Sequence, residues 1–185
     1  MSNPPFEPSH AITALRAPIF HQPDIKSHII HALSLNAQVQ AQASEGHFVQ
    51  IGAGAYVHNR HAAEIIKAPR QADYVAYAEL FKGAPYVWGG TGAMGLDCSG
   101  LVQMALFAVG RDCPRDADMQ ETSLGVSITS GALQRGDLIF WPGHVGIMAD
   151  ANTLLHANAF HMMTEKEPYA QAAARIGPPR IKKRL

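Results

Sequence analysis

The chain has 185 residues, 47% of them hydrophobic, and its fifteen basic and fifteen acidic residues cancel to a formal net charge of zero. That length fits one large domain or two small ones, with ample apolar material for a packed core. Such a charge balance offers nothing that favours nucleic acid or an anionic membrane, and no stretch reaches the roughly twenty apolar residues of a membrane span.

The opening residues, Met1 to His10, hold neither the charged nor the apolar region of a secretory signal, so a cytoplasmic location is expected. From residue 10 to 67, short β-type pieces at 12–15, 29–35, 39–41, 47–51 and 55–58 alternate with polar or glycine-containing turns. That rhythm predicts a small all-β barrel. Residues 67–71 read as a connector stiffened by Pro69. A second domain is expected over 72–185, opening on a helix at 72–82 in which Ala72, Val75, Ala76 and Leu80 recur at helical spacing.

Tyr86-Val87-Trp88-Gly89-Gly90-Thr91-Gly92 then carries the chain through glycines, which let backbone and substrate approach closely, to Asp97-Cys98-Ser99-Gly100. An almost unbroken apolar run over 101–109 follows, so Cys98, one of only two cysteines, stands where a loop becomes a buried helix. A helix N-terminus presents unpaired N–H groups and about half a positive charge, an environment that lowers a thiol's pKa and can cradle an oxyanion. Asp97 reads either as the helix N-cap or as a substrate contact. Ser99 either meets a substrate carboxylate or simply fits the first helical turn. Cys113, in a loop-like stretch before Pro114, reads as a small buried filler, since pairing with Cys98 would consume the nucleophile.

Downstream, His144 opens His144-Val145-Gly146-Ile147-Met148-Ala149, and His156 sits in Thr153-Leu154-Leu155-His156-Ala157; Asp150-Ala151-Asn152 between them reads as a tight turn. A three-residue loop pairs Ala149 with Thr153, sets Gly146 opposite His156, and puts the two imidazoles on one sheet face as diagonal neighbours. A two-residue loop would send them to opposite faces. The other eight histidines read as solvated or structural. His161 is the nearest competitor for the cleft, but its odd offset from His156 puts it on the opposite face of a continuing strand. A helix is expected over 167–175, regular structure stops at Pro178-Pro179, and Lys182-Lys183-Arg184 reads as a solvated basic tail.

Cysteine, histidine and a polar residue orienting that histidine form the minimum set for acyl transfer by a thiol. Cys98 would attack a carbonyl, His144 would take and return the proton, and His156 would accept a hydrogen bond from the far nitrogen of His144 and fix its tautomer. The N–H groups at the helix start, with the Tyr86 hydroxyl as a helper, would hold the oxyanion; Tyr86 and Trp88 also fit as core aromatics. Metal chemistry fails on spacing, with no CxxC, no HExxH and no further Cys or His near Cys98. The glycine run lacks the lysine of a phosphate-binding loop, so no metal or cofactor is expected.

Taken together, Tyr86-Val-Trp-Gly-Gly, Asp97-Cys98-Ser99-Gly100-Leu101-Val102, Pro114-Arg115-Asp116, Gln120, Gly136-Asp137-Leu138-Ile139-Phe140-Trp141, His144-Val145-Gly146-Ile147 and Leu155-His156-Ala157 resemble the NlpC/P60 cysteine peptidases, which cleave bacterial cell-wall peptides. The resemblance runs from about residue 73 to 160. It implies a papain-like α+β fold with Cys98, His144 and His156 as the triad, and Tyr86 at the cleft. In this family, members acting on peptides with a free amino terminus hold the amine with an acidic residue in the segment matching Arg115-Asp116, which makes Asp116 a candidate for substrate recognition alongside Tyr86, Asp97 and Ser99. More weakly, the order of pieces around Leu15-Arg16-Ala17-Pro18 and residues 46–57 resembles a bacterial SH3-like (SH3b) domain, of the kind that often precedes NlpC/P60 domains and either walls the cleft or binds cell-wall material.

A cytoplasmic member of that family is expected to recycle imported muropeptides, cutting the γ-D-Glu to diamino acid bond of L-Ala-γ-D-Glu-meso-diaminopimelate and releasing L-Ala-D-Glu. Relatives with this specificity can use a further SH3b domain to close the amine pocket. The chain has room for only one, which is expected to leave the substrate filter incomplete. The partners implied are peptidoglycan-derived peptides. Two other classes compete: a thiol amidase or acyltransferase using Cys98 and His144 on another acyl substrate, and a catalytically silent cell-wall binding module, which would need a damaged triad.

Overall fold

A computed structural model describes residues 6–65 and 73–185, and the chain divides into two compact units, residues 1–68 and 69–185. The expected connector at 67–71, and Ala72 at the start of the predicted helix, lie outside the described residues.

Among its described residues the first unit has eight short strands: β1 (His10–Ile12), β2 (Arg16–Phe20), β3 (Ile29–Ser34), β4 (Gln38–Val39), β5 (Ala43–Glu45), β6 (Phe48–Gly52), β7 (Ala55–His58) and β8 (Ala62–Glu64). They form a three-stranded sheet, β4-β1-β8, and a five-stranded sheet, β3-β2-β7-β6-β5. Ile12, Ala17, Ile19, Val49 and Val57 close a core between them. The strand expected at 12–15 is instead a break after β1, and the strand proper is β2, where Ala17 and Ile19 alternate inward as a half-buried strand requires. Pro18 sits in β2 ahead of the part that pairs with β7, at Ile19 and Phe20, so its missing N–H costs that ladder nothing. Strands β5 and β8 carry no apolar pattern long enough to announce them.

The second unit mixes helix and sheet. Helix α1 (Tyr74–Glu79) is capped by Asp73, whose carboxylate accepts from Val75 N–H at 3.0 Å. Its buried side is Tyr74, Val75 and Ala78, continued by Phe81, while Ala76 and Leu80 of the expected stripe point to solvent. Tyr74 sets that rotation, since its hydroxyl donates to the Gly136 carbonyl at 2.7 Å. A small ribbon, β9 (Thr91–Gly92) with β10 (Gly95–Leu96), leads into α2 (Cys98–Ala108), which is buried along almost its whole length and packs on α1 and the central strands. A short helix that the sequence did not announce, α3 (Ala117–Ser123), follows.

The sheet itself has six antiparallel strands, β11 (Val126–Ser127), β12 (Asp137–Trp141), β13 (His144–Met148), β14 (Thr153–Asn158), β15 (Met163–Pro168) and β16 (Ile181–Arg184), in the order β11-β16-β12-β13-β14-β15, with α4 (Tyr169–Ile176) between the last two in sequence. All five residues of β12 are buried, as expected of a central strand covered on both sides. Ile147 pairs with Leu155 and Met148 with Leu154, and Ala149 N–H donates to Thr153 O at 2.8 Å, the register that a three-residue loop requires. Asp150 builds that loop by accepting from the N–H groups of Asn152 (2.8 Å) and Thr153 (2.9 Å).

Two expectations for the C-terminal region are corrected. Glu167 belongs to β15, and the helix begins after Pro168, because the glutamate is drawn into the sheet by a buried partner described below. The basic run at 182–184 is no tail: it lies in β16, where Lys183 is buried and Arg184 clasps the buried carboxylate of Asp137 at 2.8 and 2.7 Å.

Candidate functional site

Cys98 is the first residue of α2, and the segment before it is locked by one carboxylate. Asp97 caps the helix, its Oδ1 accepting from Gly100 N–H at 2.7 Å and its Oδ2 from Gly89 N–H at 2.8 Å. Arg115 closes on both oxygens at 2.9 and 2.6 Å, and its Nη1 also donates to Ser99 Oγ at 2.9 Å. Asp97 and Ser99 are therefore buried in an internal network, and of the readings open for them the capping and first-turn ones are those that the geometry displays. The loop presses hard against the helix: a Cβ on Gly100 would stand 2.4 Å from the Gly90 carbonyl oxygen, a distance that only glycine tolerates.

The Cys98 thiol is almost wholly buried, and burial pushes its pKa up, with the nearby negative charge of Asp97 adding to the effect. The N–H groups of Val145, Ser99 and Cys98 itself pull the other way without overcoming it. The expectation of a depressed thiol at the helix start is thus corrected, because lost hydration outweighs the amide field. The pull of Val145 N–H on the thiol sets Cys98 in the neighbourhood of the strand that His144 opens. Among the described residues no hydrogen bond joins the Cys98 thiol to the His144 ring, and such contacts often tighten only with substrate bound.

His144 Nε2 meets His156 Nδ1 at 2.8 Å, with ring centroids 5.1 Å apart, so the register brings the two imidazoles together as expected. Burial, then His156 and Arg175, lower the His144 pKa to about 4. His156, fully buried, is lowered as well, mainly by desolvation and against the pull of Glu167. Behind it, His156 Nε2 lies 2.7 Å from Glu167 Oε1, and Arg175 grips that carboxylate with both terminal nitrogens, one of them 2.9 Å from Oε2. Arg175 holds Glu167 at about 2, well below the usual carboxylate range.

His161 does not turn away, because β14 ends at Asn158 and the chain turns, so the face argument for a continuing strand does not reach it. Its ring lies 6.4 Å from that of His156, with Nδ1 bonded to Asn158 Oδ1 at 3.0 Å. His156, His161 and Glu167 are the group among the described residues whose donor atoms are close enough to share a metal ion, all within 4.8 Å, but Arg175 already occupies the carboxylate.

A cleft of about 630 Å³ opens over Cys98, lined also by Trp88, Ser99, Arg115, Asp116 and Asp118. Trp88, 82% exposed, is no core aromatic. Tyr86 is half-buried, and its phenol pKa is raised by burial and then by Cys98 and Asp97, which puts its ring near the thiol. Asp116 precedes α3 and makes no capping bond to it, leaving an exposed carboxylate on the cleft wall. Cys113 is a free, buried thiol pushed up to about 12 by desolvation.

Sequence reasoning quoted Arg115 and Gln120 within the family pattern without giving either a role, and did not single out Glu167 or Arg175. The first two stand inside the motif-bearing segment 114–120, where Gln120 donates to the carbonyls of Ser99 and Pro114, each at 2.9 Å. The last two carry no motif, and only the pairing of His156 with Glu165, which makes Glu167 its diagonal neighbour, could have pointed to one of them.

The sequence profile of the NlpC/P60 family matches residues 83–175, half of the chain. Dipeptidyl-peptidase 6 of Lysinibacillus sphaericus is 42% identical over 74 residues, 40% of this chain and 27% of that protein. A gamma-D-glutamyl-L-lysine dipeptidyl-peptidase of Bacillus cereus (strain ATCC 10987 / NRS 248) is 38% identical over 76 residues, 41% of this chain and 22% of that protein. The chain thus spans about a quarter of the length of these two relatives. In fold, it matches the crystal structure of an NlpC/P60 family protein from Bacillus cereus ATCC 10987 with a TM-score of 0.80 at 24% identity, covering 96% of this chain and 63% of that one. The chain belongs to the NlpC/P60 family, and its matched domain is a hydrolase domain of the cysteine-peptidase type.

Proposed function

We propose that this protein is a cysteine peptidase that hydrolyses the γ-D-Glu to diamino acid bond of cell-wall peptides, with Cys98 as nucleophile, His144 as proton acceptor and His156 as its orienting partner. The observation that carries the reading is the 2.8 Å contact between His144 Nε2 and His156 Nδ1, which leaves Nδ1 of His144 as the ring nitrogen free to take a proton. Cys98 Sγ attacks the γ-carbonyl carbon as its proton passes to His144, and the carbonyl oxygen, now an anion, is met by N–H groups at the start of α2 with Tyr86 nearby. His144 returns the proton to the departing amine, leaving an acyl thioester. Water, deprotonated by His144, then attacks the thioester, and the thiolate recovers its proton.

For the amino side of the substrate, we assign Asp116 to an L-Ala ammonium, supported by a carboxylate that lines the cleft and is not spent on capping α3. The diamino acid of our reading is meso-diaminopimelate; L-lysine, in the name of the Bacillus cereus relative, is the alternative to compare. The same reading takes the first unit as an SH3b-like domain and the setting as muropeptide recycling in the cytoplasm.

Mass spectrometry of L-Ala-γ-D-Glu-meso-diaminopimelate, and of its L-lysine counterpart, incubated with the reduced protein and with Cys98→Ala tests the proposal. Release of L-Ala-D-Glu by the native protein alone is expected, and release by Cys98→Ala as well would sink the assignment. Asp116→Ala should weaken turnover of free-amine substrates by about tenfold or more while sparing N-blocked ones, the loss of one charged contact being worth roughly 1.5–3 kcal/mol. Equal loss on both refutes the amine role.

A further inference from the structure

Protons at the paired histidines can be placed by counting donors and acceptors. Glu167, held at about 2 by Arg175, is ionised across the physiological range and can only accept. The 2.7 Å contact between its Oε1 and His156 Nε2 therefore requires the hydrogen on His156 Nε2. Burial keeps His156 neutral, so it owns one N–H and its Nδ1 is a bare lone pair. The 2.8 Å contact from that Nδ1 to His144 Nε2 then requires the hydrogen on His144. His144 is neutral too, which leaves its Nδ1 unprotonated and able to receive a proton. The opposite assignment would press a carboxylate oxygen against an imidazole lone pair at 2.7 Å.

Arg175 makes the arrangement one-directional. It donates to both oxygens of Glu167, and its guanidinium lies 4.1 Å over the Phe160 ring, so it is held from two sides. His161 Nδ1, 3.9 Å from Glu167 Oε1, is tied to Asn158 and leaves that oxygen to His156 and Arg175.

Resting on the assignment of Cys98 and His144 above, we propose that Glu167, oriented by Arg175, is a positioning residue that sets the tautomer of both imidazoles and thereby selects Nδ1 of His144 as the proton acceptor. Its hydrogen bond acts two rings away from the sulfur and touches no substrate.

The decisive substitution is Glu167→Leu, which leaves His156 Nε2 without its acceptor. Glu167 Oε1 takes both His156 Nε2–H and an Arg175 N–H, so a glutamine can keep its oxygen at that place, whereas leucine frees both rings to exchange tautomers. Nitrogen NMR of labelled histidine reads this without substrate. In the native protein, Nδ1 of His144 and His156 should be of the unprotonated type and both Nε2 protonated; in Glu167→Leu both rings should show mixed tautomers, with Cys98 alkylation by iodoacetamide at pH 7 and peptide turnover each down about tenfold or more. In Glu167→Gln the amide oxygen still accepts from His156, so the native pattern and most of the lost rate should return. A native protein with protonated His144 Nδ1 overturns the proposal before any variant is made. So does a folded Glu167→Leu that keeps the native pattern or the native alkylation rate. Turnover surviving in Cys98→Ala would instead overturn the catalytic reading, while the nitrogen pattern would still judge the tautomers.

Discussion

The thiol of Cys98 is raised and the imidazole of His144 is lowered to about 4, both chiefly by burial, so at neutral pH the resting pair is an uncharged thiol and an uncharged base. Reaction then begins with a proton transfer rather than from a stored ion pair, and the acid limb of activity belongs to His144. Protonation removes the base, and its pKa is depressed, so kcat/KM should hold as pH falls through 6.5 and drop only through about 4. A pH profile measured under conditions where the fold is intact checks this, and an acid limb near 6.5 would mean that His144 is as hydrated as a surface histidine. These properties were hidden in the sequence. The helix-start position of Cys98 was legible, but the sign of its shift depends on how much water the folded chain leaves around sulfur, which no local pattern states.

Elements show a different balance. The hairpin that joins the histidines was readable because a side-chain period of two and a loop of known length leave only one register. It carries a sharp expectation: deleting Ala151 shortens the loop to two residues, slips β14 by one, and sends His156 to the face opposite His144. Turnover should fall by about 100-fold or more, as for loss of the assisting base, and the His144–His156 signature should vanish from nitrogen NMR. Unchanged turnover would show that the register is set elsewhere than in the loop. The β15 to α4 boundary was misread because Glu167, a good helix former, is held in the strand by His156 and Arg175. Likewise, the basic run at 182–184 reads as solvated until β16 is seen between β11 and β12, with Arg184 paired to buried Asp137.

For the molecule as a whole, two cores mean two separable sources of stability. Cys98, His144 and His156 belong to the second unit, whereas Ile19 is buried in the core of the first. Ile19→Ala should cost about 2–5 kcal/mol of that unit's stability, seen as a lowered calorimetric transition, while Cys98 alkylation at 25 °C stays within about twofold of native. A parallel fall in alkylation rate would show that the site leans on the first unit. The sequence by itself determined the nucleophile candidate at a helix start, the paired histidines and their register, and the family motif that links them, because each rests on short-range spacing and local backbone geometry. Only the tertiary structure decided that Arg115 closes over Asp97 and Ser99, that Trp88 stands at the cleft, and that Glu167 and Arg175 sit behind His156. Those contacts join residues brought together by helix and strand packing, and burial, which sets every charge state at the site, is a property of the folded chain rather than of any segment within it.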